Sequence, residues 1–351
     1  MKFAFLCCEK TGSRRGRVAI IGAGPAGLAA TGYLVCQGYD VDVYEKLPFA
    51  GGMMMFVIPP YRIPREGIVE GVEDLEKNFS VKFMYRTKIF CGSSPRHDEG
   101  DDFIEKVIDL NNLIDEYDVV LIATGTWSSR RMGIPGEDAK GVIPALEYVY
   151  RWWIYEQELS SERPPMGKRV VVIGGGLSAV DAAEVALLKG AQEVYLVYRR
   201  TIREAPAGEY EIKRLVREGV QWVELASPNK IIVEKGRVKA IEFIKMRLGE
   251  PDESGRPKPI PIPGSEFQIE ADLVIPAIGE IPTPPMQQEC RGVKIDRRGR
   301  IMVNEMYQTS LKKVFAAGDV AHGPSKVGKA FGSGLRAAFF IDMYLRSKSV
   351  G

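Results

Sequence analysis

The chain of 351 residues has room for two domains and a substantial buried core. Its 48 basic and 46 acidic residues leave a net charge of +2, which exerts no global pull toward nucleic acid or an anionic membrane, so any basic patch must be local. No apolar run reaches the roughly 20 residues of a membrane span, and Met1 to Arg17 lacks the apolar core of a signal peptide, so a soluble, cytoplasmic protein is expected.

Residues 1–16 read as a basic, loosely attached tail. The β-branched run Arg17 to Ile21 then feeds Gly22-Ala23-Gly24-Pro25-Ala26-Gly27, and an Ala/Leu-rich helical segment follows. In such a strand–turn–helix unit, backbone N–H groups at the helix N-terminus hold a pyrophosphate. The first glycine permits the turn, the second lets the backbone approach the phosphates, and the third lets helix and strand pack closely. A second strand, Tyr39 to Tyr44, ends in Glu45, roughly 20 residues past the turn, where a carboxylate accepts hydrogen bonds from ribose hydroxyls.

Paired glycines and repeated prolines make Phe49 to Pro64 a shaped loop, whose Met53 to Met55 run either packs on a flat apolar ligand or fills core. Arg65 to Asn78 predicts an amphipathic helix, Val81 to Ile89 a strand, and Gly92 to Asp102 a surface hairpin tip. Tyr117 to Gly125 predicts a buried strand ending in a small-residue turn, and Gly133-Ile134-Pro135-Gly136 the crossing into a second domain. Tyr148 to Tyr155, aromatic at helical spacing, reads as a packing face, with a contact patch as the alternative.

A second unit of the same kind begins at Arg169 to Ile173, turns at Gly174-Gly175-Gly176-Leu177-Ser178, and has Ala179 in the third small position. Its next strand, Glu193 to Tyr198, ends not in a carboxylate but in Arg199-Arg200. Guanidinium groups bind a 2′-phosphate through bidentate, charge-assisted hydrogen bonds, so the pair assigns this site to NADP(H); the plain alternative is a solvated strand end. A helix follows over Glu209 to Glu218, then strands near Val220 to Leu225, Ile231 to Glu234 and Val238 to Met246. Gly249 to Gly264 reads as an exposed hairpin loop, and Ala271 to Gly279 as a strand leading back to the first domain. Finally Val314 to Val320 closes on Gly318-Asp319 and a helix runs from Val327 to Leu345. An aspartate there accepts from a ribityl hydroxyl, and the helix points its positive end at an electron-rich ring, as a flavin requires.

None of Cys7, Cys8, Cys36, Cys91 and Cys290 forms a Cys-x-x-Cys, so neither a redox dithiol nor an iron–sulfur cluster is expected, and Cys7-Cys8 reads as an inert tail pair. His97 and His322 cannot build a histidine-rich metal site, and no metal is expected.

Gly22-x-Gly24-x-x-Gly27 with Glu45, Ala123-Thr124-Gly125 and Ala317-Gly318-Asp319 together resemble the pyridine nucleotide disulfide reductase family, across essentially the whole chain. Within it, Gly51-Gly52 to Pro64, Tyr198-Arg199-Arg200 with Pro206-Ala207, and the small residues of Gly323 to Ala338 are similar to the small (β) subunit of NADPH-dependent glutamate synthase and its homologues. Met55 and Val57 depart from that family's loop, which carries an arginine and a glycine there. The family's N-terminal module with cysteines for two [4Fe–4S] clusters has no counterpart here, so a partner protein or a small acceptor is expected to take the electrons.

The resemblance implies an α/β fold of two Rossmann-like three-layer domains, with an NADP(H) domain (135–276) inserted into a discontinuous FAD domain (17–134 and 277–351). For FAD the expected set is Gly22, Ala23, Gly24, Pro25, Ala26, Gly27, Glu45, Lys46, Gly51, Gly52, Met53, Arg62, Ile89, Ala123, Thr124, Gly125, Gly318, Asp319, Lys326 and Val327. For NADPH it is Gly174, Gly175, Gly176, Leu177, Ser178, Asp181, Arg199, Arg200, Ala277, Ile278 and Gly279. Hydride transfer from NADPH to FAD needs positioning of the two rings rather than an acid–base residue, with Lys326 or Lys329 stabilising charge on the flavin; His322 is expected to line the pocket or lie on the surface. The activity implied is that of an NADPH oxidoreductase of the glutamate synthase small-subunit kind, feeding a large or iron–sulfur subunit in an oligomer or hetero-complex. An NAD(P)H:acceptor subunit of another complex, such as a dye-linked dehydrogenase or a ferredoxin:NADP oxidoreductase, and a non-catalytic flavin-holding subunit are the alternatives.

Overall fold

The computed structural model describes residues 16–92, 97–252 and 255–349, together with Cys7, Gly12 and Pro95; most of the expected tail, Cys8 included, lies outside the described residues. The first stretch carries β1 (Arg17–Ile21), α1 (Pro25–Cys36), β2 (Asp40–Tyr44), α2 (Met53–Phe56), α3 (Glu66–Phe79), β3 (Lys82–Met84), β4 (Thr87–Phe90), β5 (Lys106–Asp109), α4 (Leu110–Glu116) and β6 (Val119–Ile122). Next come β7 (Ser128–Ser129), α5 (Ala145–Glu156), β8 (Arg169–Ile173), α6 (Leu177–Leu188), β9 (Glu193–Tyr198), α7 (Glu209–Arg217), β10 (Gln221–Glu224), β11 (Ala226–Glu234), β12 (Arg237–Pro251), β13 (Pro257–Glu270) and β14 (Leu273–Pro276). The chain closes with β15 (Glu280–Ile281), β16 (Val314–Ala316), α8 (Asp319–His322) and α9 (Val327–Ser349).

These elements form two compact units, one from the residues up to Ser128 and from Glu280 onward, the other from Ser129–Gly279 inserted between them. The sequence placed the crossings at 134/135 and 276/277. In the first unit a parallel sheet runs in the order β16-β6-β1-β2-β3, with Ile21 level with both Tyr44 and Ile122. Strand order reverses beside β1, and the crevice outside the carboxyl ends at such a reversal is where α/β sheets bind ligands. Buried on all faces, β1 and β6 read as continuous apolar runs, as parallel strands must. The helix α1 is apolar all round because it lies between this sheet and α9.

In the second unit the parallel sheet runs β10-β9-β8-β14, and β11, β12 and β13 form a separate antiparallel sheet. The expected hairpin loop Gly249 to Gly264 is mostly strand. Pro257, Pro259, Pro261 and Pro263 alternate along β13, an edge strand, where a residue without an N–H is tolerated. Tyr148, Tyr150, Trp152, Trp153 and Ile154 of α5 are buried, which makes that aromatic run a packing face.

Three expectations in the first unit are corrected. Val81 to Ile89 is two strands, broken where Arg86 adopts φ +54°. Gly92 to Asp102 is no hairpin tip, because β4 and β5 pair in parallel and Asp98 between them is buried. The loop 49–64 contains one helical turn, α2. The cysteines also pair: Cys7 is bonded to Cys36 at the end of α1, so the tail is fastened at that point and Cys7 is not a tail thiol, and Cys91 is bonded to Cys290. Among the described residues no helix is long and apolar enough to cross a membrane.

Candidate functional site

A cleft opens at the carboxyl ends of β1, β2, β6 and β16. Level register brings Gly22, Glu45, Ala123 and Ala317 to one edge, since each stands just past the end of its strand, and Gly318 follows one residue on. Gly22 donates to the Tyr44 carbonyl and Ala123 to the Ile21 carbonyl, both at 2.8 Å. A Cβ on Gly22, at φ +100°, would stand 2.5 Å from the Ala123 carbonyl oxygen, so only glycine makes this turn. Gly24 differs: a Cβ there meets no protein atom within 4 Å. Protein packing therefore does not require that glycine, whereas a diphosphate drawn against the N-terminus of α1 does.

The second unit repeats the arrangement. Gly174 donates to the Val197 carbonyl at 2.9 Å and Ala277 to the Ile173 carbonyl at 2.8 Å, and a Cβ on Gly174 would stand 2.3 Å from the Ala277 oxygen. A Cβ on Gly176, like one on Gly24, meets nothing within 4 Å. Leu177 and Ser178 open α6 with Asp181 one turn on, and Ile278 and Gly279 follow Ala277 at the end of β14. Where the first unit has Glu45, the second has Arg199 and Arg200, and the structure separates these two. Arg199 is exposed. Arg200 is 1% exposed, its Nη2 paired with Asp252 at 2.6 Å and its Nε donating to the Pro257 carbonyl at 2.7 Å. The expectation that both guanidinium groups meet a phosphate is corrected accordingly: Arg200 ties the β12–β13 turn to the strand end.

The Glu45 carboxylate is held by backbone donors. Its Oε2 accepts the Ala23 N–H at 2.7 Å and its Oε1 accepts the Leu47 N–H at 3.0 Å, so it also holds the glycine turn. Burial pushes its pKa up, and these backbone donors oppose the rise. Beside it Lys46 donates to Asp101 at 3.0 Å and lies over the Trp127 ring; burial lowers the ammonium pKa, and Asp101 and Asp98 oppose that. Lys88 completes the cluster, 2.5 Å from Asp101 and 3.3 Å from Asp98. Lys88, Asp98 and Trp127 line the cleft and were missed in the sequence, where nothing in their spacing connects them.

The cleft lining includes Gly22, Gly24, Pro25, Ala26, Glu45, Lys46, Gly52, Met53, Ile89, Ala123, Thr124, Gly125, Gly318, Asp319 and Val327 of the expected set. Ala23, Gly27 and Gly51 stand behind it; Gly51 donates to the Ala23 carbonyl at 2.8 Å. Arg62 is outside the lining, as are Lys326 and Lys329, both exposed, so the two lysines are not brought against the cleft wall. The positive end facing the cleft is the backbone of α9 at Val327. Asp319 accepts from the Ser325 hydroxyl at 2.6 Å and its N–H at 3.2 Å, and burial pushes its pKa up. His322 is exposed and off the lining, its ring set edge-on against Tyr307; partial burial, Lys329 and Arg300 lower its pKa.

The sequence profile of the family described as pyridine nucleotide-disulphide oxidoreductase matches residues 16–334. The chain is 40% identical to the NADP(+)-dependent formate dehydrogenase subunit beta of Moorella thermoacetica and 37% to the NADPH-Fe(3+) oxidoreductase subunit beta of Geobacter sulfurreducens, each over 94% of its length. It covers only 44% and 50% of those proteins, about half their length. It is 35% identical to the glutamate synthase [NADPH] small chain of Halomonas elongata, over 94% of this chain and 68% of that one. Among solved structures, FprA of Mycobacterium tuberculosis in complex with NADPH shares the fold, with a TM-score of 0.78 at 21% identity, over 96% of this chain and 86% of that one. Carried by a profile match over most of its length and by these relatives, the chain belongs to the pyridine nucleotide-disulphide oxidoreductase family.

Proposed function

We propose that this chain oxidises NADPH and passes the electrons through FAD to a partner protein, as the resemblance to glutamate synthase small chains suggests. Family membership makes it an oxidoreductase with FAD and NADP(H) as cofactors. The observation that carries the reading is that Gly24 and Gly176, the second glycines of two equivalent turns, both face space empty of protein, while a carboxylate follows one turn and an exposed arginine the other. FAD, when bound, supplies the two-electron acceptor and NADPH the hydride.

In this reading the N–H groups of the Gly22–Gly27 turn hold the FAD pyrophosphate, and Glu45, fixed by Ala23 and Leu47, accepts from a ribose hydroxyl. Asp319, oriented by Ser325, accepts from the ribityl chain, and the first turn of α9 stabilises negative charge that develops on the ring. In the second unit the Gly174–Gly176 turn holds the NADPH pyrophosphate and Arg199 its 2′-phosphate. That two of the relatives are subunits of other NADP-linked oxidoreductases favours, as a second reading, an acceptor other than a glutamate synthase large subunit. Anaerobic mixing of the FAD-loaded protein with NADPH tests the chemistry. The yellow band should bleach, and faster than with NADH; a protein that stays yellow is a flavin holder only, and one that stays colourless after incubation with FAD ends the reading.

A further inference from the structure

The segment that re-enters the first unit at Glu280 straps one wall of the cleft. Thr283, Pro284 and Pro285 all line it, as does the turn 123–127 that follows β6. Strap and turn are bolted together by Thr283. Its backbone N–H donates to the Gly125 carbonyl at 3.0 Å, and its carbonyl accepts the Thr124 hydroxyl at 2.7 Å. The Thr283 hydroxyl donates to the same Gly125 carbonyl at 3.3 Å and accepts the Trp127 N–H at 3.2 Å. Thr283 and Trp127 are both buried, each 6% exposed.

The turn needs such a bolt. Gly125 stands at φ +74°, and glycine loses more conformational freedom on ordering than any other residue. Ala123, Thr124 and Gly125 offer little apolar surface with which to fix their own conformation. The strap, by contrast, is stiff: Pro284 and Pro285 have a fixed φ, and the Pro285 carbonyl accepts the Cys91 N–H at 2.8 Å, just past the end of β4. What Thr283 holds also reaches further along the wall. The Trp127 carbonyl accepts the Glu99 N–H at 2.9 Å, and its ring lies beneath the Lys46 ammonium beside Glu45.

We propose that the Thr283 hydroxyl is a positioning group for FAD, holding the Gly125 carbonyl and the Trp127 N–H, and with them the cleft wall, in the arrangement the cofactor meets. This deepens the FAD reading of the cleft and rests on it. Without the hydroxyl, the turn of the FAD-free protein has more arrangements open to it, and the apparent affinity for FAD falls by the fraction of molecules in the competent one. A bolt that served folding alone would lower the melting temperature of the FAD-free protein and leave its FAD affinity unchanged.

The test is titration of the FAD-free protein with FAD, read by quenching of flavin fluorescence. Thr283→Val keeps nearly the same shape and removes the hydroxyl; Thr283→Ser keeps the hydroxyl and removes the methyl group. The dissociation constant for FAD should rise about tenfold in Thr283→Val and in Thr283→Ala, and stay within about twofold of wild type in Thr283→Ser. Unchanged FAD affinity in Thr283→Val overturns the proposal. So does binding by Thr283→Ser as weak as by Thr283→Val, which would assign the effect to the methyl group. Loss of cooperative melting in both FAD-free Thr283→Val and Thr283→Ala also overturns it, since the hydroxyl would then serve the fold. Gly24→Ala that binds FAD as tightly as wild type overturns instead the placing of FAD in this cleft.

Discussion

Replacing Gly334 by alanine should push α9 off α1, whereas the same change at Gly332 should not. A Cβ at Gly334 would stand 2.1 Å from the Ala26 carbonyl oxygen and 2.8 Å from the Ala26 Cα. Ordinary carbon–oxygen contacts sit at about 3.3–3.6 Å, so one helix must retreat by about 1 Å. The obstacle is backbone in the first turn of α1, and no side-chain rotation relieves it. Overpacking of this kind costs about 1–3 kcal/mol or more, against which the better helix propensity of alanine returns up to about 1 kcal/mol. At Gly332 a Cβ meets nothing within 4 Å, leaving only the gain. The two variants should differ by about 2 kcal/mol, a separation of about 4–8 °C in melting temperature. Calorimetry on the FAD-free proteins measures this, and an FAD titration should show weaker binding for Gly334→Ala alone, because Ala26 lines the cleft. Melting temperatures within about 1 °C of each other would refute the packing argument.

Three further outcomes are expected. Arg199→Ala should raise the KM for NADPH about 10–100-fold and leave the NADH value nearly unchanged, while Arg200→Ala should chiefly lower the melting temperature; steady-state kinetics with both nucleotides separate them, and equal loss for NADPH and NADH in Arg199→Ala sinks the phosphate assignment. Since burial raises the Glu45 pKa above its ordinary 4.5, the stabilisation linked to its neutral form is complete below that pH and is lost as pH rises through the raised value. The melting temperature of Glu45→Gln minus that of wild type should therefore increase with pH upward from that point, and a flat difference contradicts it. Lys88→Met strips Asp98 and Asp101 of a buried cation and should cost about 3–5 kcal/mol in a urea titration; a loss under about 1 kcal/mol would mean that water already screens the cluster.

What was legible in the sequence was local. Glycine spacing fixes a turn because the constraint acts between neighbours, and strand ends marked by Glu45, Ala123 and Gly318 meet because parallel strands share a register. Arg199 and Arg200 stand side by side in the sequence, and only the fold separates them, because Arg200 meets Asp252 and the Pro257 carbonyl more than fifty positions away. The alternating prolines of β13 carried an unread signal of an edge strand. Lys88, Asp98 and Asp101 were beyond reach, because their meeting is made by the tertiary fold and leaves no mark in local spacing. The same holds for Cys7 with Cys36 and for Cys91 with Cys290, partners 29 and 199 positions apart.

The Cys91–Cys290 bridge has a topological consequence. It ties the polypeptide before the insertion to the polypeptide after it, so a protease nick anywhere in Ser129–Gly279 would leave a single sulfur-linked molecule. In that nicked form β16 would still find β6 as a tethered neighbour, at an effective concentration set by the bridge and not by dilution. Only reduction on top of cleavage would remove the covalent link to the fragment that begins at the nick and carries Cys290.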